Sequence, residues 1–182
     1  GLMMEPKHLA FNHQEMNRTG VSTFLTEQAG RENELRGFQG ALQSNYAMGI
    51  MTAFNRIGTI YSGAYEGVLV QIVRNEWGYT GWITTDLING AEYQNWRDVI
   101  FGGGSDVLSN HSTFAETSLG TMSDNTKTIQ KDTSFQEKMK AGLKYYLYTT
   151  ARSNAMNGIT SDTETVYVKT WWQNTILGVE IG

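Results

Sequence analysis

Asp86 closes the run Trp82-Ile83-Thr84-Thr85-Asp86, which is entered through Gly81 after Arg74-Asn75-Glu76-Trp77-Gly78-Tyr79-Thr80. An apolar, β-branched run of this kind reads as a buried strand, and a carboxylate at its C-terminal end stands where barrel enzymes place their reacting groups. Lys7, His8 and Arg18 have the donors to hold a polyhydroxylated ligand beside such an acid, the guanidinium by gripping two hydroxyls in its planar fork. Each residue also has an ordinary reading. Asp86 could cap the next helix, Lys7 could be a solvated charge, His8 a satisfied structural donor, and Arg18 a surface charge at a helix start.

The elements that would position these residues alternate. Strands are expected at 3–11, 47–54, 81–86 and 104–109, and helices at 21–43, 65–77, 93–101 and 135–153. In 21–43, Phe24, Leu25, Ala29, Leu35, Phe38 and Leu42 fall mostly on one helical face, and Ser22 is placed to cap the start. In 65–77, Val68, Leu69, Ile72, Val73 and Trp77 form one stripe that Gly78 would terminate. In 135–153, Met139, Leu143, Tyr146 and Leu147 share a face, with Lys138, Lys140 and Lys144 on the others. The alternation predicts an α/β fold: a partial TIM barrel of about four βα units with parallel strands.

These segments resemble the barrel domain of glycoside hydrolase family 3, the β-glucosidase-like enzymes, over roughly residues 5–110. Lys7-His8-Leu9-Ala10-Phe11-Asn12 resembles that family's lysine-histidine strand end, and Gln14-Glu15-Met16-Asn17-Arg18 the loop after it. Met51-Thr52-Ala53-Phe54-Asn55-Arg56-Ile57-Gly58 resembles the next strand, and the segment around Asp86 the one bearing the nucleophile. The resemblance covers the later half of the barrel. It implies a retaining β-glycosidase in which Asp86 attacks the anomeric carbon and Lys7, His8, Arg18, Phe54 and Leu87 line the sugar site.

Two positions depart from the family pattern. Phe54 stands where a tyrosine often donates to the nucleophile, and Leu87 where an aromatic residue often forms the sugar platform. Loss of the first removes a donor that favours an ionised carboxylate, and loss of the second removes stacking area. Both keep open a non-catalytic carbohydrate-binding or structural remnant. The general acid is expected from a second domain outside the chain. His13 lacks the Asp-His loop pattern of the family's hexosaminidase branch, and Glu15, Glu66 and Glu92 are candidates by chemistry alone.

Composition excludes more than it selects. The chain has 182 residues, enough for one domain with a core, and a net charge of −4 that gives no electrostatic reason to expect nucleic acid. It has no cysteine, and His8, His13 and His111 lack a zinc spacing, so neither metal nor cofactor is expected. No apolar run reaches the ~20 residues of a bilayer span, and residues 1–5 lack the pattern of a signal peptide, so location stays unread. Gly102-Gly103-Gly104 resembles the family's glycine turn into the last strand, a phosphate loop being the alternative, and 109–134 reads as a long surface excursion.

A closed barrel takes about 250 residues and eight strands. The chain is therefore expected to be a piece of a larger protein, with residues 1–158 as the partial barrel and 159–182 as a tail containing a docking strand at 164–169. Trp171-Trp172 offers a juxtamembrane alternative for that tail. The expected partners are a β-linked oligosaccharide or glycoside and the missing remainder of the barrel with its acid-bearing domain. Open strand edges predict that the chain in isolation forms a homodimer, exchanges elements or rearranges into a more closed sandwich.

Overall fold

A computed structural model describes residues 3–19, 21–88, 93–105, 107, 130–164, 166–168, 170–173, 175 and 178. In chain order its elements are β1 (Ser22–Thr23), α1 (Glu27–Ala29), α2 (Arg36–Gln43), β2 (Gly49–Met51), β3 (Arg56–Ile57), β4 (Ile60–Tyr61), β5 (Trp82–Thr84), α3 (Trp96–Phe101) and α4 (Thr133–Arg152). A π-helical stretch, Gly30–Leu35, joins α1 to α2, and a second, Gly67–Glu76, lies between β4 and β5.

Parallel pairing organises the interior. Residues 4–9 run beside β2, with Met51 N donating to Pro6 O at 3.2 Å, Leu9 N to Met51 O at 2.8 Å and Ala53 N to Leu9 O at 2.6 Å. On its other side β2 pairs in parallel with β5, Ile50 opposite Ile83 and Met51 opposite Thr84. Beyond β5, Ser105 N donates to Ile83 O at 2.7 Å. The spatial order 4–9, β2, β5, 105 follows the chain order, as consecutive βα units require. The described residues form a partial α/β domain with an unclosed sheet. A second small sheet, β1-β3-β4, combines one parallel and one antiparallel pair beside it.

The core follows the expected stripe in the helix between β4 and β5. Val68, Leu69, Ile72, Val73 and Trp77 are buried against Leu9, Ile50, Tyr79 and Ile83. Arg74, on the same helix, secures the approach to β5. Its guanidinium donates to Tyr79 O at 2.9 Å, Gly81 O at 2.5 Å and Ser105 Oγ at 3.3 Å, and it stacks 3.6 Å from the Tyr145 ring centroid. Burial lowers its pKa to about 10, because the charged form is disfavoured away from water.

Several expectations need correction. The first helix begins at Glu27, not residue 21, because Ser22 and Thr23 pair with Arg56 and Ile57; Thr26, not Ser22, caps it by accepting Ala29 N at 3.2 Å. Phe24 and Leu25 consequently stand 74% and 49% exposed. α4 docks through Phe135, Met139, Gly142 and Thr149, whereas Leu143, Tyr146 and Leu147 are exposed. Gly142 permits a close approach, since a Cβ there would stand 3.1 Å from Ser105 Cα, and Thr149 Oγ1 donates to Met48 O at 3.3 Å.

Gly104, Ser105 and Val107 belong to no strand, and the rest of 104–109 lies outside the described residues. Gly103 does make the expected glycine turn, at φ +102°. Within 164–169, residues 164 and 166–168 form no strand and are exposed, and Trp171 and Trp172 are helical. The surface excursion at 109–134 lies outside the described residues up to 129. No helix among the described residues is long and apolar enough to cross a membrane.

Candidate active site

The parallel register brings three strand ends together. Thr52 N donates to Thr84 O at 2.9 Å and Asp86 N to Thr52 O at 3.1 Å, which places Asp86 just past the end of β5 beside the end of β2. His8, on the neighbouring segment, puts its Nε2 3.4 Å from Asp86 Oδ2. That is a polar contact rather than a tight hydrogen bond. The other carboxylate oxygen, Oδ1, accepts Leu87 N at 2.7 Å. Asp86 does not cap the next described helix: α3 is capped by Asn95, whose Oδ1 accepts Arg97 N at 2.8 Å.

The remaining expected residues divide. Lys7 is exposed and lines, with His8, Phe11, His13 and Glu34, a cavity of about 210 Å³. Arg18 lies with its Cζ 4.3 Å above the Phe54 ring and its Nη1 3.4 Å from Glu15 Oε1. Buried Phe54 thus serves as a platform for the guanidinium. Leu87 is 36% exposed at the mouth. His13 Nε2 lies 2.6 Å from Glu34 Oε1. Glu66 is exposed at a helix start, while Glu92 and His111 lie outside the described residues. Among the described residues no group of His, Cys, Asp and Glu is arranged to hold a metal.

Sequence reasoning missed two phenols and an arginine. β3 and β4 form a hairpin that returns Tyr61 to the strand ends, and Tyr93 packs edge-on to it with ring centroids 5.8 Å apart. Tyr93 Oη donates to Phe54 O at 2.9 Å, and Arg56 Cζ lies 4.7 Å from the Tyr93 centroid. The available signal was Gly58, at φ +60° between two short β-prone pairs, which is a hairpin pattern. Burial, then the Asp86 charge, push the Tyr61 phenol up; burial also raises Tyr93, against the opposing influence of Arg56 and Arg18.

Loops are tied to the strand ends by side chains. The carbonyl of Phe11 accepts Asn55 Nδ2 and Thr23 Oγ1, each at 3.2 Å. These bonds couple the Lys7-His8 segment to β1 and to the residue just before β3. A larger cavity of about 420 Å³, lined by Phe24, Leu25, Gln71 and Ile72 among others, contains none of the expected sugar-site residues. The candidate site is therefore located by the convergence of side chains at the strand ends rather than by cavity size.

No family model matches the chain. Over 86 residues, 47% of its length, it is 37% identical to a probable β-glucosidase J of Emericella nidulans, and over 80 residues it is 31% identical to a β-glucosidase of Ruminococcus albus. These matches cover 10% and 8% of the relatives, so the matched segment spans about a tenth of their length. Among solved structures, β-glucosidase 3B of Thermotoga neapolitana in complex with α-D-glucose superposes with a TM-score of 0.74 at 22% identity, over 85% of this chain and 21% of that one. The family 3 β-glucosidase of Bifidobacterium adolescentis gives 0.68 at 22% identity, over 90% and 22%. In fold and in sequence, the chain resembles the domains of glycoside hydrolase family 3 β-glucosidases.

Proposed function

We propose that this chain carries the nucleophile and part of the −1 sugar site of a retaining β-glycosidase that removes terminal β-linked sugars from short oligosaccharides or glycosides. The observation that carries the reading is the meeting of His8 and Asp86, Nε2 to Oδ2 3.4 Å, at the C-terminal ends of the two parallel segments that flank β2. Asp86 would attack the anomeric carbon, forming a glycosyl ester as the leaving oxygen takes a proton from an acid, and water would then cleave the ester. Lys7, His8 and Arg18 would hold sugar hydroxyls, with Phe54 supporting the arginine and Leu87 an aliphatic edge of the site.

The general acid in this reading belongs to a second domain of the parent protein, and the open sheet is completed by further barrel strands or by a second copy. Lacking the acid, the chain by itself should lose about 10²–10⁴-fold in rate. An activated 2-fluoro-glucoside tests the nucleophile without needing that acid. Intact mass and peptide mapping should find one adduct, on Asp86, that is absent from Asp86→Asn. A second reading, a sugar-binding or structural remnant, is favoured by Phe54 and Leu87; it predicts no adduct and equal sugar binding by the parent and Asp86→Asn.

A further inference from the structure

Two arginines meet beside the candidate site with little negative charge to balance them. Arg18 lies over the Phe54 ring, the Phe54 carbonyl accepts the Tyr93 hydroxyl, and the Arg56 guanidinium stacks 4.7 Å from the Tyr93 centroid. A direct bond closes this chain of contacts: Arg56 Nη2 donates at 3.3 Å to the carbonyl of Thr19, the residue after Arg18. Arg56 and then Arg18 also oppose the upward push of burial on the Tyr93 phenol, so both positive charges act on one hydroxyl.

The pairing of these charges is incomplete. Arg18 Nη1 lies 3.4 Å from Glu15 Oε1, on a side chain that is 70% exposed, and such a pair is weak in water. Arg56 has no carboxylate at ion-pair distance among the described residues, and of the donors on its guanidinium only Nη2 is engaged. Its Nε is buried and without a partner among the described residues. An unmet buried donor costs free energy that an incoming oxyanion recovers, and a guanidinium grips a carboxylate through two parallel N–H bonds. Stacking on Tyr93 and the bond to Thr19 hold the planar fork in place before a ligand arrives, which lowers the cost of ordering it.

We infer that Arg56, beside Arg18, reads an anionic group on the ligand, so that the substrate class is a β-glycoside bearing a carboxylate. The inference rests on the reading of this site as a sugar site and narrows its specificity. The neutral part of the ligand faces Asp86, because two carboxylates side by side repel. The carboxylate can belong to the sugar itself or to the departing group, and the two are told apart by the ligand used.

Calorimetric titration of the whole chain with phenyl β-glucoside, phenyl β-glucuronide and 4-carboxyphenyl β-glucoside tests this without turnover. One of the two acids should bind about 10-fold more tightly than the neutral glycoside at low salt. Preference for the glucuronide puts the carboxylate on the sugar, and preference for the carboxyphenyl glucoside puts it on the departing group. The advantage should shrink when salt is raised to about 0.5 M, and Arg56→Gln should abolish it. The salt arm needs only the parent, so it decides the matter even if the variant does not fold. Equal binding of all three glycosides, binding of none, or a preference that salt or Arg56→Gln leaves intact overturns the inference. An Asp86 adduct from the 2-fluoro-glucoside without any acid preference sinks this inference alone. A preference lost in Arg56→Gln, with no adduct, sinks the glycosidase reading and leaves a site that binds acidic glycosides.

Discussion

The cluster around residues 4–9, β2 and β5 gathers Leu9, Ile50, Leu69, Val73 and Ile83, all fully buried between parallel strands and helices, whereas among the described residues the cluster between α3 and α4 has Ile88, Trp96, Ile100 and Phe135 buried, with Phe101, Val107 and Met139 packed against them. The first is a broad interlocking of aliphatic side chains on a hydrogen-bonded frame. The second is secured by aromatic edges, with Phe135 5.6 Å from the ring centroids of both Trp96 and Phe101, and by polar fasteners at its rim. Arg97 Nη2 meets Asp132 Oδ2 at 2.7 Å, and Asp132 Oδ1 caps α4 by accepting Phe135 N at 3.0 Å. Asp86 emerges from the first cluster, so the precision of the candidate site depends on aliphatic packing rather than on surface charge.

Leu69→Ala should show the strongest effect, a loss of about 3 kcal/mol in urea unfolding, because a fully buried side chain leaves a cavity that a sheet-braced core cannot close. Loss below about 1 kcal/mol would mean that this cluster is no more rigid than the other. Gly142→Val should cost about 1–3 kcal/mol by forcing α4 away from Ser105 and Gly104; a helix that gained stability would show the approach to be looser than the structure describes.

The polar fasteners predict a pH effect confined to the second cluster. Hydrogen bonds from Phe135 N, Arg97 and Ser134 lower Asp132 from its ordinary 3.8 to about 2. The unfolded chain therefore binds this proton first, and the stabilisation, complete above the unfolded value, is lost as pH falls from about 4 toward 2. Denaturant midpoints across that window should fall less steeply in Asp132→Asn, and an equal slope in both proteins would remove the fastener from the account. Leu143→Gln should change stability by no more than about 0.5 kcal/mol, since the side chain is exposed. A larger loss in sedimentation-verified monomer would place that side chain in the core after all.

The contrast also explains which parts of the fold could be read from the chain. Val68, Leu69, Ile72, Val73 and Trp77 followed their stripe because a helix against a sheet must bury one apolar face, and that face is written in local spacing. α4 escaped the same reasoning because it docks through Gly142 and Thr149, one chosen for its absence of a side chain and the other for a hydroxyl that reaches Met48. Phe24 and Leu25 fit a helical pattern but precede the helix, since two residues just before them were taken by pairing with β3.

The sequence by itself determined the order of the parallel segments, the helix that covers β5 and the placement of Asp86 and His8 at strand ends, because apolar periodicity and strand-end chemistry are carried by neighbouring residues. Only the tertiary structure decided that Arg18 rests on Phe54, that α4 turns its glycine rather than its leucines inward, and that Tyr61 lies buried against Tyr93. Those outcomes depend on contacts between residues far apart in the chain, where backbone pairing and excluded volume choose among side chains that local pattern leaves equivalent.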